Sequence, residues 1–299
     1  MSGTTTTPTT YDVAVIGCGL MGAALAKALA GAGRTVAAWN RTPERAQAIA
    51  GGGVTAVPSI DEAVRSASLV IACTSTYDTA RAVLSTVTDW GDAPLVNLGS
   101  AAPHEVMAMA QWAQERGIGY LDGSILCFPG QVGTAEGMVL YSGSASVWSA
   151  HRSTLTSLGP SSAHIADEVQ AASVMDAAII GSFYVSSVSA YLEGAGFALS
   201  MGVTADTLRS VTESVIGALR RATRQAVAAI ENDSYGTDQA TLEVYAEGSR
   251  HVLAGMRAAG HHPRLLAAAV EGLEAGEAAG LGDLGLYALA KVARQDASS

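Results

Sequence analysis

The sequence predicts an α/β chain built from an N-terminal Rossmann fold, a long interdomain helix and an all-α C-terminal domain. Three observations carry this expectation. From Tyr11 to about Ile165, short β-branched runs alternate with Ala-rich helical stretches, the pattern of βα units around a parallel sheet. After Ala166 the alternation stops and helical periodicity takes over. The length of 299 residues exceeds what a single core ordinarily fills, so two domains are expected. The boundaries read as a frayed, disordered tail over 1–10, a nucleotide-binding domain over 11–166, and the long helix with a helical dimerisation and substrate domain over 167–299.

In chain order, the expected strands are Val13–Ile16, Thr35–Trp39, Val54–Ala56, Leu69–Thr74, Leu95–Leu98, Gly119–Asp122, Met138–Ser142 and Ala163–Ile165. Between the first two lies a helix over Gly22–Gly31, with Leu25, Ala28 and Leu29 on one face and glycine at its end. A helical pattern then runs from Glu168 to Ser200 and is apolar on nearly every face, through Val174, Ile179, Phe183, Val188 and Leu192. Such a helix must be buried on all sides, by its own chain or by a partner subunit. Further helices are expected over Ala205–Asn232, Ala240–Ala259, Arg264–Ala279 and Leu284–Arg294, with a break at His261-His262-Pro263.

Composition narrows the class. Hydrophobic residues make up 49% and aromatics 5%, an excess of Ala, Val, Leu and Gly that favours close-packed helices over an all-β design. A net charge of −10 argues against nucleic acid, whose binding needs a basic face. The three cysteines, Cys18, Cys73 and Cys127, form no CxxC pair and suit free thiols in a reducing, cytoplasmic compartment. The Thr-rich stretch Met1–Thr10 is read as neither signal peptide nor anchor. Val174–Leu192 is apolar enough to raise a membrane span. However, it contains Asp176, serines and Gly181 and has no second span beside it, so no membrane is expected. None of the six histidines forms a ligand pair on a helix, and no metal site is expected.

The chemistry begins at Val13-Ala-Val-Ile-Gly17-Cys-Gly19-Leu20-Met21-Gly22, a strand running through G-x-G-x-x-G into a helix. Gly17 allows the tight turn, Gly19 lets backbone approach a pyrophosphate, and Gly22 lets helix and strand pack closely, with the phosphates at the helix N-terminus. The cofactor type is read at the end of the second strand. An NAD enzyme usually places Asp or Glu there for the ribose hydroxyls, whereas this chain offers Asn40, Arg41 and Thr42, with Arg45 one turn on. Donors and positive charge suit a 2′-phosphate, so NADPH is the expected cofactor. Two more strand ends open on the same crevice: Cys73-Thr74-Ser75 and Asn97-Leu98-Gly99-Ser100, with groups able to bond the nicotinamide ribose and carboxamide.

Over nearly its whole length the chain resembles the β-hydroxyacid dehydrogenase superfamily, through Gly17-x-Gly19-Leu-Met-Gly22, Asn40-Arg41-Thr42, Leu121-Asp122-Gly123 and the long helix. That superfamily carries a catalytic lysine early on the helix. Here the only lysines are Lys27, in the first Rossmann helix, and Lys291, near the C-terminus. In the lysine's place stands Ala172-Ser-Val-Met-Asp176-Ala-Ala-Ile-Ile, which resembles the imine reductase and reductive aminase offshoot, in which aspartate often replaces it. Gly123-Ser-Ile-Leu-Cys-Phe-Pro129-Gly-Gln-Val-Gly133 is similar to the same offshoot. Met175, where the family commonly has Tyr, and Val169-Gln170, where a glycine is usual, depart from it.

The resemblance implies reduction of cyclic imines to secondary amines, and of ketone plus amine, with hydride from NADPH. A ketone needs a proton delivered to oxygen as hydride arrives, whereas an iminium ion needs its positive charge tolerated, which a carboxylate does and a lysine does not. Asp176 is therefore expected to stabilise or protonate the substrate nitrogen. A structural role as a helix N-terminal carboxylate is already filled by Asp167 and Glu168. Tyr184, eight residues on, is expected on nearly the same face, about 12 Å along the axis, with its hydroxyl toward the substrate nitrogen or a water held by Asp176. Ser100 is a further polar candidate. The resemblance also implies a homodimer that exchanges the long helix, each site being shared by two chains. Two alternatives compete: a β-hydroxyacid dehydrogenase acting on a small hydroxyacid or aldehyde acid, and an inert NADPH sensor. The first lacks both the lysine and an arginine for the substrate carboxylate in Leu121–Gly133.

Overall fold

A computed structural model describes residues 10–296, with side chains to residue 293. Residues 1–9 of the expected tail lie outside the described residues. The chain divides into two compact units, one ending at Ser182 and one beginning at Phe183.

The N-terminal unit is built on one eight-stranded sheet: β1 (Val13–Ile16), β2 (Val36–Trp39), β3 (Val54–Ala56), β4 (Val70–Ala72), β5 (Leu95–Leu98), β6 (Tyr120–Ile125), β7 (Val139–Gly143) and β8 (Ala163–Ala166). Their order is β3-β2-β1-β4-β5-β6-β7-β8. The first six are parallel, and the order reverses between β1 and β4, where a doubly wound sheet opens its ligand crevice. The sheet departs from parallel order at one pair, because β7 runs antiparallel to β6. Gln131, Thr134 and Gly137 close tight turns in the connection between them, and no crossover helix carries the chain back, as a parallel partner would require.

The central strands are apolar on both faces because helices cover both. Val13, Val15, Val96 and Leu98 pack on the side of α1 (Leu20–Gly31) and α6 (Ala145–Leu155). Ala14, Ile16, Val70 and Leu95 pack on the side of α3 (Ile60–Arg65), α4 (Tyr77–Leu84) and α5 (Pro103–Gln114). The short α2 (Pro43–Gln47) follows β2. Ser59 and Thr76 cap α3 and α4, accepting from the amides of Glu62 and Thr79 at 3.1 Å each.

The run expected as one α-helix from Glu168 to Ser200 is instead three pieces: α7 (Ala171–Met175), a π-helix over Asp176–Tyr184, and α8 (Val185–Ser200). α7 packs on β6, β7 and β8. The Ser142 hydroxyl ties it down, accepting from the Ala172 amide at 2.9 Å and donating to the Val169 carbonyl at 2.7 Å.

The C-terminal unit holds α8, α9 (Ala205–Glu231), α10 (Leu242–Ala258), α11 (Arg264–Ala278) and α12 (Leu289–Asp296). Its small core gathers Tyr235, Leu242, Ala246, Leu273 and Ala288. A Cβ at Gly276 would stand 2.9 Å from methyls of both Leu242 and Leu289, so glycine sets how closely α11 meets its neighbours. Glu193 on α8 caps α11 from outside, accepting from the Arg264 amide at 3.0 Å and from Leu265 at 3.1 Å. Burial on all sides is not what the single chain gives its apolar helices. Phe183, Tyr184, Val185, Val188, Tyr191 and Leu192 are exposed, as are Val211, Val215, Ile216 and Leu219 on α9.

Candidate active site

The glycine loop between β1 and α1 is shaped by two contacts that forbid side chains. Gly17 has φ +102°, and a Cβ there would meet the Cys73 carbonyl oxygen at 2.3 Å. A Cβ on Gly22 would sit 1.9 Å from the Gly17 carbonyl oxygen. Gly19 differs: nothing lies within 4 Å of where its Cβ would stand, so its backbone is open to an approaching group. No side chain caps α1, and its first amides face outward with the positive end of the helix dipole. An open backbone beside an uncapped helix N-terminus fits a diphosphate.

Around this loop is a cavity of about 390 Å³. Gly17, Gly19, Leu20, Met21 and Gly22 form one wall, and Cys73, Thr74 and Ser75, just past β4, form another. The third wall is Asn40, Arg41, Thr42 and Arg45. Asn40 is committed to structure, since its Oδ1 accepts from the Cys18 amide at 3.0 Å and its Nδ2 donates to the Thr42 carbonyl at 2.9 Å. It thereby holds the glycine loop against the end of β2. Arg41 and Arg45 are exposed and form no ion pair among the described residues, leaving two cations at the mouth.

Asn97, expected to face the cofactor, is not among the residues lining this cavity. It alternates with Val96 and Leu98 and so points to the other face of the sheet with Leu95, where it is 1% exposed. Ser100, beyond the end of β5, is exposed.

Asp176 is half-buried at the first position of the π-helix, directly after α7. Helices of this kind are rare and concentrate at functional sites, because their wider turn displaces side chains from α-helical positions. The α-helical spacing used to place Tyr184 therefore does not hold between residues 176 and 184. Tyr184 itself is 48% exposed.

A buried acidic cluster lies below, and the sequence reasoning did not single it out. Asp122 on β6 is 1% exposed. Its Oδ1 accepts from the hydroxyls of Tyr77 and, at 3.3 Å, of Tyr120. Burial, the largest effect, together with the negative charge of Asp176 outweighs the two tyrosine donors and leaves the Asp122 carboxyl raised to about 7. Both tyrosines are driven well above their ordinary range, chiefly by burial, and remain donors. Asn97 stands across the register from Asp122. It lies near enough to the Tyr120 hydroxyl to favour its anion slightly, yet its buried Nδ2 makes no hydrogen bond of proper geometry. The available signal was a lone carboxylate inside an apolar strand, Tyr120-Leu-Asp122-Gly, where an unpartnered charge is costly.

Comparison with known proteins covers both halves of the chain. Residues 12–166 match the NAD binding domain of 6-phosphogluconate dehydrogenase, and residues 168–295 match the C-terminal domain of the NADPH-dependent reductive aminase-like proteins. An NADPH-dependent reductive aminase of Aspergillus oryzae (strain ATCC 42149 / RIB 40) is 28% identical over 177 residues, spanning 58% of this chain and 59% of that protein. The structure of an imine reductase from Pseudomonas sp. superposes with a TM-score of 0.88 at 28% identity, covering 94% of this chain and 99% of that one. An imine reductase from Myxococcus stipitatus, solved with NADP+, gives 0.86 at 27% identity, covering 93% and 98%. With a dinucleotide-binding sheet, a carboxylate at the head of the long helix and both halves matched in order, the chain belongs to the family of NADPH-dependent imine reductases and reductive aminases.

Proposed function

We propose that this chain reduces C=N bonds, converting cyclic imines to secondary amines and joining ketones with amines. The observation that carries the reading is Asp176, a half-buried carboxylate at the head of the π-helix, in a chain whose lysines stand elsewhere. NADPH supplies the hydride when bound. The uncapped amides of α1 and the open backbone of Gly19 would hold its diphosphate, and Arg41 and Arg45, with Thr42 between β2 and α2, would hold the 2′-phosphate. Thr74 and Ser75, which line the same cavity, would bond the nicotinamide ribose.

In this reading Asp176 lowers the energy of a cationic C=N group by placing a negative charge beside it, or gives a neutral imine its proton. Tyr184 and Ser100 are polar contacts for the substrate nitrogen or a water beside it. The apolar surfaces of the π-helix, α8 and α9 favour a second copy of the chain as their cover, because monomers rarely leave patches of this extent open. The run Ala171–Ser200 is long and apolar enough to cross a membrane by length and composition. Asp176 within it and the enzymes the chain resembles favour a subunit interface instead. Free thiols at Cys18, Cys73 and Cys127 support a cytoplasmic setting.

NADPH oxidation with 1-pyrroline, run beside a panel of small hydroxyacids with NADP+, tests the activity. Turnover of pyrroline alone is expected, and turnover of a hydroxyacid alone would overturn the reading.

A further inference from the structure

We propose that Asp122 is a second acidic residue of this reaction, a positioning residue that acts through Asp176 by adding or withholding a negative charge beside it. The inference rests on the imine-reducing reading of the site. Its geometry is independent of that reading.

The strand pair β6–β7 sets Asp122 opposite Ser142. The Ser142 hydroxyl pins the Ala172 amide at 2.9 Å, one helical turn before Asp176. The helix head carrying Asp176 is thus fastened over the row of the sheet that contains Asp122. Of the charged side chains on α4, Asp78 and Arg81 pair with each other at the surface, 3.2 Å apart. Tyr77 comes from α4 and Tyr120 from β6 itself, both donating to Oδ1. Asn97 comes from β5, and Ser142 from β7 has its hydroxyl spent on α7. On α5, His104 is exposed and Glu105 is occupied by the Ala102 amide at 2.8 Å. α7 carries no titratable side chain. Asp176 is the charged residue that acts on Asp122.

Two tyrosine donors on one oxygen make Asp122 able to hold either state. The hydrogen bonds favour the carboxylate, while burial and Asp176 favour the acid. With the proton on Asp122, the substrate meets one negative charge. Once that proton is lost to solvent, it meets two, and a cationic C=N acceptor is bound more favourably. Because the group's pKa is about 7, the change falls at neutral pH.

The test uses an N-methylated cyclic iminium, whose charge does not vary with pH. For the natural protein, kcat/KM is expected to rise with pH through about 7 by up to about tenfold, the equivalent of one pK unit of coupling. Asp122→Asn should flatten this step. Tyr77→Phe, which removes a donor favouring the carboxylate, should move it to higher pH. Carbon-13 titration of labelled aspartates reads the same coupling without turnover: Asp176→Asn should lower the midpoint of Asp122. This titration and the Tyr77→Phe displacement decide the matter even if Asp122→Asn fails to fold. A step that persists in Asp122→Asn, or an Asp122 midpoint unmoved by Asp176→Asn, would overturn the inference. Absence of any iminium turnover would strike the reading of the reaction instead, while the aspartate titration still reports on the coupling.

Discussion

Replacing Asp122 by asparagine should change how the stability of the N-terminal unit depends on pH. The substitution keeps an oxygen where Tyr77 and Tyr120 donate and removes the ionisation. In the folded protein the carboxyl ionises near 7, against an ordinary value of 3.8. A folded-state pKa above the unfolded one means the fold prefers the acid form. The contribution is fully present below the unfolded value and is lost as pH rises towards 7, after which it is constant. The separation of about three pH units corresponds to about 4 kcal/mol. Asparagine brings N–H donors whose cost is the same at every pH, so the informative quantity is the change in the variant's advantage between pH 4 and pH 8. Urea unfolding followed by tryptophan fluorescence reads this unit alone, because Trp39, Trp90, Trp112 and Trp148 all lie within it. The natural protein should lose stability across this range relative to Asp122→Asn. Parallel pH curves for the two would refute the reasoning.

Gly22→Ala should weaken NADPH binding by more than about tenfold, because the new methyl falls 1.9 Å from the Gly17 carbonyl oxygen and overpacking of this kind costs about 1–3 kcal/mol; fluorescence titration with NADPH checks it. Arg41→Ala and Arg45→Ala should each weaken NADPH by about 10- to 100-fold, the strength of a charged hydrogen bond, while leaving NADH affinity unchanged. Equal losses for both cofactors would mean that neither arginine meets the 2′-phosphate. Glu193→Ala should cost the C-terminal unit about 1–2 kcal/mol by uncapping α11, seen as faster hydrogen exchange at Arg264 and Leu265.

Much of the fold was legible because period-2 and period-3.6 patterns separate cleanly here. Strands such as Val13–Ile16 and Val70–Ala72 are continuous apolar runs that only a sheet covered on both faces accommodates. The glycine loop was equally legible, since Gly17 and Gly22 have roles fixed by local backbone geometry, whereas Asn40, read as a cofactor donor, is tied to the Cys18 amide and the Thr42 carbonyl. What escaped depends on partners distant in sequence. The antiparallel turn into β7 has no local signature stronger than a parallel strand's. Asn97 was read by its place at a strand end, whereas its alternation with Val96 and Leu98 turns it to the face of Leu95. Tyr77 and Asp122 are 45 residues apart, so no spacing rule joins them. The π-helix at Asp176 cannot be read from composition, because an apolar run with Gly181 serves an α-helix as well.

The central claim is that the carboxylate of Asp176 favours a positively charged C=N acceptor. Its most direct measurement is kcat/KM for an N-methylated cyclic iminium in Asp176→Asn against the natural protein, with NADPH affinity determined on the same samples. The account predicts a loss of about 100-fold, as expected when a charge aimed at the reacting centre is removed, with NADPH affinity unchanged. Iminium reduction at the natural rate in Asp176→Asn would contradict it.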